Sequence, residues 1–432
     1  MTPAARLSAA IEVLDEIARS RAPADGVLKH WGREHRFAGS GDRRAIAERV
    51  YRTLRARSKL AWAMGADDGR ALVLGALARL DETPLDGIEA LFCGGHAPEP
   101  LTPDERALLA RDPPAEPDWV KAGLPEGLSQ PFHDRFGDDW VAEARALTQD
   151  RAPLDLRVNG LMGPPAKALN LLAFDGVEAA APTPFSAWGL RLPADFATDV
   201  QKTKAYTTGW VEVQDESSQI AAFLAAPDGG GGLVVDYCAG GGGKTLALAQ
   251  TGPARLIACD VNEKRLNAIK ERLDRARAKA ERRRIGTDGQ GTEDLIGAAD
   301  LVFVDAPCSG SGTWRRHPEG AWRLTMDGID RLAVLQTAIL ARAATLVKPG
   351  GRLAYATCSV FTAENDAIAD AFAAAHPDFR PLPIAEAART AHLHAEGAAR
   401  LAELAGGSHT IQLTPRRTGT DGFFLALFER PL

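Results

Sequence analysis

The chain has 432 residues, 45% of them hydrophobic and 25% charged. That length implies two or three domains, and that composition excludes wholesale disorder and fibrous repeats. Lysine and arginine number 51 against 57 acids, a net charge of −6, so composition does not announce a nucleic-acid binder. No run of about 18 uncharged apolar residues occurs, which argues against a membrane span. Acids at Glu12, Asp15 and Glu16 interrupt the first apolar pattern, which reads as a cytoplasmic start rather than a secretory one. The five cysteines (93, 238, 259, 308 and 358) form no CxxC pair. That argues against disulfides and a zinc site, and no metal is expected.

Residues 1–112 read as an all-α domain, because Leu7, Ile11, Leu14 and Ile17 recur at helical spacing, as do Ile46, Val50 and Leu54. The stretch Arg43 to Lys59 holds seven basic residues and one acid, and Lys264 to Arg284 holds ten and three. Such runs read either as solvated helix faces or as phosphate contacts. The Pro-rich RDPPAEPDW (111–119) reads as a linker. Residues 119–208 then read as a small α+β module: LDLRVN (154–159) alternates as a strand, PAKALNLLAFDG (165–176) fits a helix, and GLRLP gives a second strand. From 209 to 432 the rhythm is strand, turn, helix. LVVDYC (233–238), RLIACD (255–260), RIGTD (284–288), DLVFVDAPC (300–308) and RLAYATCS (352–359) are the expected strands of a doubly wound, parallel α/β sheet. HTIQLTP and DGFFLALFER read as an antiparallel pair at its edge.

Ligands in an open α/β sheet bind beyond the carboxyl ends of the strands, and three features collect there. DYCAGGGGKT (236–245) is a glycine turn that lets backbone approach a ligand. It matches neither a P-loop nor a dinucleotide fingerprint, and with Asp260 one strand later it reads as a nucleoside-type site. DAPCSGSGTWRRHPE (305–319) and ATCSVFTAEN (356–365) each set a cysteine at a strand tip. A lone buried cysteine is usually packing. Two at neighbouring tips, one beside Asp305, point to thiolate chemistry. Cys238 and Cys259 read as packing.

These motifs resemble the Sun/RsmB group of RNA (cytosine-5) methyltransferases. VQDESSQ (213–219), DYCAGGGGKT, Asp260, TDG (287–289), DAPCSGSG, RRHP (315–318), ATCS and DGFF (421–424) follow the group's order. One position departs from it: Gly241 stands where the group usually has proline. Upstream, APLDLRVN (152–159) resembles the group's RRM-like module, and GDRRAIAERVYRTLR (41–55) resembles a NusB-type RNA-binding domain. The order of the three domains is closest to the bacterial RsmB branch, whose substrate is a cytosine of small-subunit (16S) ribosomal RNA.

The resemblance implies a Rossmann-like class I methyltransferase sheet and S-adenosylmethionine as cofactor. That cofactor would be lined by Cys238, Ala239, Gly240, Gly241, Gly242, Gly243, Lys244 and Asp305, with Asp260 on the ribose and Asp288 at the adenine end. Cys358 would be the nucleophile at cytosine C6 and Cys308 would assist release. Asp305 and Lys244 would contact the base. Arg43, Arg44, Arg52 and Arg55 would contact RNA, with Arg315 and Arg316 on flanking phosphates. A monomer acting on ribosomal RNA is expected. Alternatives are a transfer RNA or DNA cytosine methyltransferase, a methyltransferase for protein or small molecules, and a non-catalytic RNA-binding assembly factor.

Overall fold

The computed structural model describes residues 1–196 and 198–432, which form two compact units. The first comprises Met1–Asp150 together with Thr313–Thr325, and the second Arg151–Gly312 together with Met326–Leu432.

The first unit contains helices and no strand among its described residues. Its first helix, Pro3–Ser20, starts where Thr2 caps the Ala5 N–H and proline occupies the first turn. Leu7, Leu14 and Ile17 bury one face of it against Ile46, Val50 and Leu54 of helix Ser40–Arg55 and against Val73, Leu74 and Leu77 of helix Gly69–Arg79. The Pro-rich stretch does not separate from this unit. Trp62 donates to the Pro114 carbonyl at 3.3 Å and meets Trp119 edge-on, and helices continue to Thr148. Residues 313–325 also belong here. Trp314, 1% exposed, stacks on Phe132, and the buried Glu319 accepts the Ala24 N–H at 3.0 Å.

The second unit opens with a four-stranded antiparallel sheet. Its strands are β1 (Leu154–Val158), β2 (Ala181–Pro182), β3 (Gly189–Leu192) and β4 (Val211–Val213), in the order β2-β3-β1-β4. Helix Pro165–Phe174 packs on it through Ala168 and Leu172. Asp155 and Glu216, both buried, share Arg191. Glu216 also accepts the N–H groups of Phe185 and Ser186, so part of VQDESSQ serves as a structural joint.

The larger sheet contains β5 (Leu233–Asp236), β6 (Arg255–Asp260), β7 (Glu281–Arg284), β8 (Ala299–Asp305), β9 (Val347–Thr357), β10 (Arg380–Pro381), β11 (Thr410–Leu413) and β12 (Phe423–Glu429). The order from one edge is β7-β6-β5-β8-β9-β12, and β12 carries both β10 and β11 on its outer side. Strands β5 to β9 run parallel and β12 runs antiparallel to β9. This is the Rossmann-like sheet expected from the strand-turn-helix rhythm, with the expected antiparallel addition at its end.

One strand is displaced from its expected place. β7 is Glu281–Arg284 (ERRR), and RIGTD lies almost wholly beyond it. As an edge strand it meets solvent with Glu281, Arg282 and Arg284, and Glu281 pairs with Arg255 and Arg283. An apolar run is therefore the wrong signature for it.

Candidate active site

The parallel strands end together and carry the glycine turn and both cysteines on one rim. After β5 the chain turns through Gly240 (φ +53°) and Gly242 (φ +80°), left-handed conformations that side chains disfavour. A Cβ at Gly242 would stand 2.9 Å from Ile269, so the close approach to helix Glu263–Ala276 also requires glycine. Gly241 keeps a negative φ and its carbonyl accepts from Arg272. Its departure from proline leaves the turn intact. Cys238 and Gly243 are half-buried and Ala239 is buried.

Asp260 ends β6, 7% exposed, and holds this turn in place: one oxygen accepts the Gly240 N–H at 2.8 Å and the other the Asn262 N–H at 2.7 Å. Asp288 is exposed and caps its own turn at the Gln290 N–H. Below the glycine turn, Asp236 is fully buried. Its Oδ2 accepts from Thr245 at 2.6 Å, while its Oδ1 has no partner. Burial pushes this carboxyl up to about 7, and the charges of Asp305 and Asp260 add to the rise. A glycine cradle with an acid at the next strand tip and an orphaned buried acceptor beneath fits a nucleoside cofactor rich in donors.

Lys244, the first side chain after the glycines, forms an ion pair with Asp305 at 2.8 Å and lies over the Phe423 ring. Burial acts to lower its ammonium, but the charge and hydrogen bond of Asp305, and beyond them Cys358, more than offset that, so it is held above its ordinary value. The DGFF motif thus backs Lys244 with an aromatic face.

The two expected catalytic thiols come together: Cys308 Sγ lies 3.4 Å from Cys358 Sγ. The hydrogen bond with Cys358, then burial, push the Cys308 thiol well above its ordinary value. The contact is a thiol–thiol hydrogen bond in which either sulfur can donate. Burial likewise raises Cys238, and raises Cys259 to about 12, which disfavours either as a thiolate nucleophile.

A buried carboxylate under the cysteines escaped the sequence reading. Glu364 is 0% exposed. Its Oε1 accepts the Ser309 N–H at 2.8 Å and Gln336 Nε2 at 3.0 Å, and its Oε2 accepts the hydroxyls of Ser309 at 2.5 Å and Ser359 at 2.6 Å. Asn365 extends the network to Thr357, the Ser359 carbonyl and Gln412. The signal was present in ATCSVFTAEN, where an acid and an amide follow the cysteine.

The expected RNA contacts divide. Arg43 and Arg44 are exposed on helix Ser40–Arg55. Arg52 is tied to Asp81 and to the Leu80 carbonyl, and Arg55 lies over Tyr51 and donates to the Arg315 carbonyl. Arg315 is 4% exposed. Buried within the first unit, it does not offer its guanidinium to a solvent-borne phosphate. Arg316 is half-buried. Among the described residues no metal-ligating cluster occurs, and no helix is long and apolar enough to cross a membrane.

The family model described as 16S rRNA methyltransferase RsmB/F matches residues 221–429. Ribosomal RNA small subunit methyltransferase B of Pseudomonas putida is 33% identical over 326 residues, 74% of this chain and 68% of that protein. Its namesake in Pectobacterium atrosepticum is 33% identical over 305 residues, 70% and 65% of the two chains. The solved structure described as PH0851 shares the fold at a TM-score of 0.75 and 24% identity, covering 99% of both chains. With a relative one-third identical over two thirds of its length, the chain belongs to the RsmB/F family of S-adenosylmethionine-dependent ribosomal RNA methyltransferases.

Proposed function

We propose that this chain methylates C5 of a cytosine in small-subunit ribosomal RNA through a covalent bond between Cys358 and C6. The observation that carries the reading is the pair of thiols 3.4 Å apart beside the Lys244–Asp305 pair. Cytosine C5 is too weak a nucleophile to take a methyl group unaided. Attack of the Cys358 thiolate forms the C6–S bond and moves the ring electrons to C5. S-adenosylmethionine, when bound, supplies an electrophilic methyl group. The C5 proton then departs to solvent, its electron pair restores the C5–C6 double bond, and Cys358 leaves as thiolate.

Each residue has one task in this sequence. Cys308 donates its S–H to the sulfur of Cys358 and stabilises the thiolate both before attack and on departure. Asp305 accepts from the N3/N4 edge of the base, and Lys244 donates to its O2. Cys238 to Lys244 and Asp305 line the cofactor, Asp260 takes the ribose hydroxyls, and Asp288 lies at the adenine end. The target base must be unstacked to enter. The helices of the first unit, Met1–Asp150 with Thr313–Thr325, serve as a NusB-like RNA-binding domain and the four-stranded sheet as an RRM-like module.

The test is transfer from labelled S-adenosylmethionine to ribosomal RNA, transfer RNA and DNA in parallel, with bisulfite sequencing of the product. Label in ribosomal RNA at a bisulfite-resistant cytosine is expected. Label in transfer RNA or DNA alone would replace the substrate, and label at any other atom would replace the chemistry.

A further inference from the structure

In the first unit several arginines are matched by carboxylates. Arg6 pairs with Asp42, Arg49 and Arg52 with Asp81, Arg57 with Asp67, Arg70 with Glu105, and Arg106 with Glu89. A groove between helix Ala24–Glu34 and helix Ser40–Arg55 gathers arginines outside these pairs. Lys29, Arg33, Arg43 and Arg44 line it, and none of the three arginines has a carboxylate partner among the described residues. Arg43 is nevertheless held: its Nε donates to the Ala38 carbonyl at 2.9 Å, and its guanidinium lies across Gly32, where a Cβ would stand 3.4 Å from it. Cations left unneutralised on one groove are arranged for an anion.

The groove is not simply a charged surface. Leu28, Ile46 and Ala47 supply an apolar floor, and its volume of about 600 Å³ falls within the range of small-ligand sites. Trp31 forms part of the wall and carries a ring ladder outward. His35 stacks on Trp31 at 4.3 Å, and Phe37 meets His35 edge-on at 5.7 Å. Phe37 is 73% exposed. An apolar floor beside cations, with an exposed ring joined to the groove wall through His35 and Trp31, matches a ligand that joins phosphate to an aromatic base. Paired strands bury their bases and could use only the cations.

We infer that this groove holds an unpaired nucleotide from a single-stranded stretch of the RNA substrate, with its phosphates on Arg33, Arg43 and Arg44 and its bases on the apolar floor and Phe37. The inference rests on the RNA reading of the function and adds which form of RNA the first unit recognises. An acidic peptide would satisfy the arginines and leave Phe37 and the floor without a purpose.

Fluorescence anisotropy with the full chain tests it, using a labelled single-stranded RNA of about twelve nucleotides, within the usual site sizes, and a duplex of the same sequence. The wild type should prefer the single strand. Arg33→Gln with Arg44→Gln should weaken it about tenfold at moderate salt and flatten the log–log salt slope by about 1.4, the share of two phosphate contacts. Phe37→Ala should weaken the single strand about fivefold or more, the scale of one stacked base, and leave the salt slope unchanged. S-adenosylmethionine affinity should be unaltered in all variants, which reports an intact fold. Unchanged single-strand binding, or equal loss with the duplex, would overturn the inference. So would variants that keep RNA and lose a polyglutamate probe. A wild type that methylates ribosomal RNA beside variants that bind normally fails this groove alone, whereas a wild type that methylates no RNA fails the functional reading.

Discussion

Glu364 accepts the backbone N–H of Ser309 at 2.8 Å from a fully buried carboxylate, and it holds Ser359 through the same group. Each serine directly follows one of the cysteines. A single carboxylate therefore ties the loop after β8 to the loop after β9 and fixes the spacing of the two thiols. Four hydrogen bonds from Ser309, Gln336 and Ser359 converge on its two oxygens, all given by N–H or O–H donors.

Glu364→Ala should strand these donors in the interior and lower stability by about 3 kcal/mol or more, since each unmet buried donor costs roughly 1–3 kcal/mol. Glu364→Gln keeps an acceptor and should cost less, while slowing methyl transfer because the thiols lose their fixed spacing. Urea unfolding measures the first effect and single-turnover rates the second. Wild-type stability of the alanine variant would remove Glu364 from this role.

Asp236 gives a dependence on pH whose sign is fixed. Burial raises its carboxyl to about 7 in the folded chain, against an ordinary value of 3.8. The folded state thus binds this proton more tightly than the unfolded state. Its stabilisation is complete below about pH 4 and is lost as pH rises through about 7, with a span of up to about 4 kcal/mol. Asp236→Asn should lose this component and hold a flatter stability profile between pH 5 and 8. Thermal unfolding across that range compares the two, and parallel profiles would contradict the assignment.

Asp260 holds both Gly240 and Asn262 and is assigned to the cofactor ribose. Asp260→Ala should weaken S-adenosylmethionine about tenfold, or about 1.4 kcal/mol, the scale of a lost charged hydrogen bond. Calorimetry at fixed pH reads this directly. An unchanged affinity would take Asp260 out of the cofactor site.

Chemistry that sits at strand tips was legible in the sequence, because a short motif carries both the strand and its functional residue. Cys308, Cys358, Asp305, Lys244 and the glycine turn were all readable this way, and the structure brings both thiols, and Lys244 with Asp305, into contact. What depended on distant contacts was not. Trp314 to Thr325 follow DAPCSGSG directly in the chain but pack into the first unit, through residues such as Phe132 and Ala24 that lie far earlier. Arg315 reads as a free cation for that reason and is buried. Strand β7 was misplaced because an edge strand needs no apolar run, and β4 pairs with β1 across more than fifty residues. Helix Ser40–Arg55 reads as evenly basic, yet its arginines differ in whether a carboxylate from elsewhere, such as Asp81, meets them.

The covalent mechanism assigns the two cysteines different fates, and denaturing electrophoresis after incubation with RNA and S-adenosylmethionine reads them apart. In Cys308→Ala the departing sulfur of Cys358 loses its hydrogen-bond donor, so the methylated adduct should persist as a slow-migrating protein–RNA band. In Cys358→Ala neither methylation nor a band should form. General destabilisation would reduce both variants alike and cannot produce this asymmetry. A band with Cys358→Ala and none with Cys308→Ala would reverse the two roles, and no band in either would contradict covalent attack by Cys358.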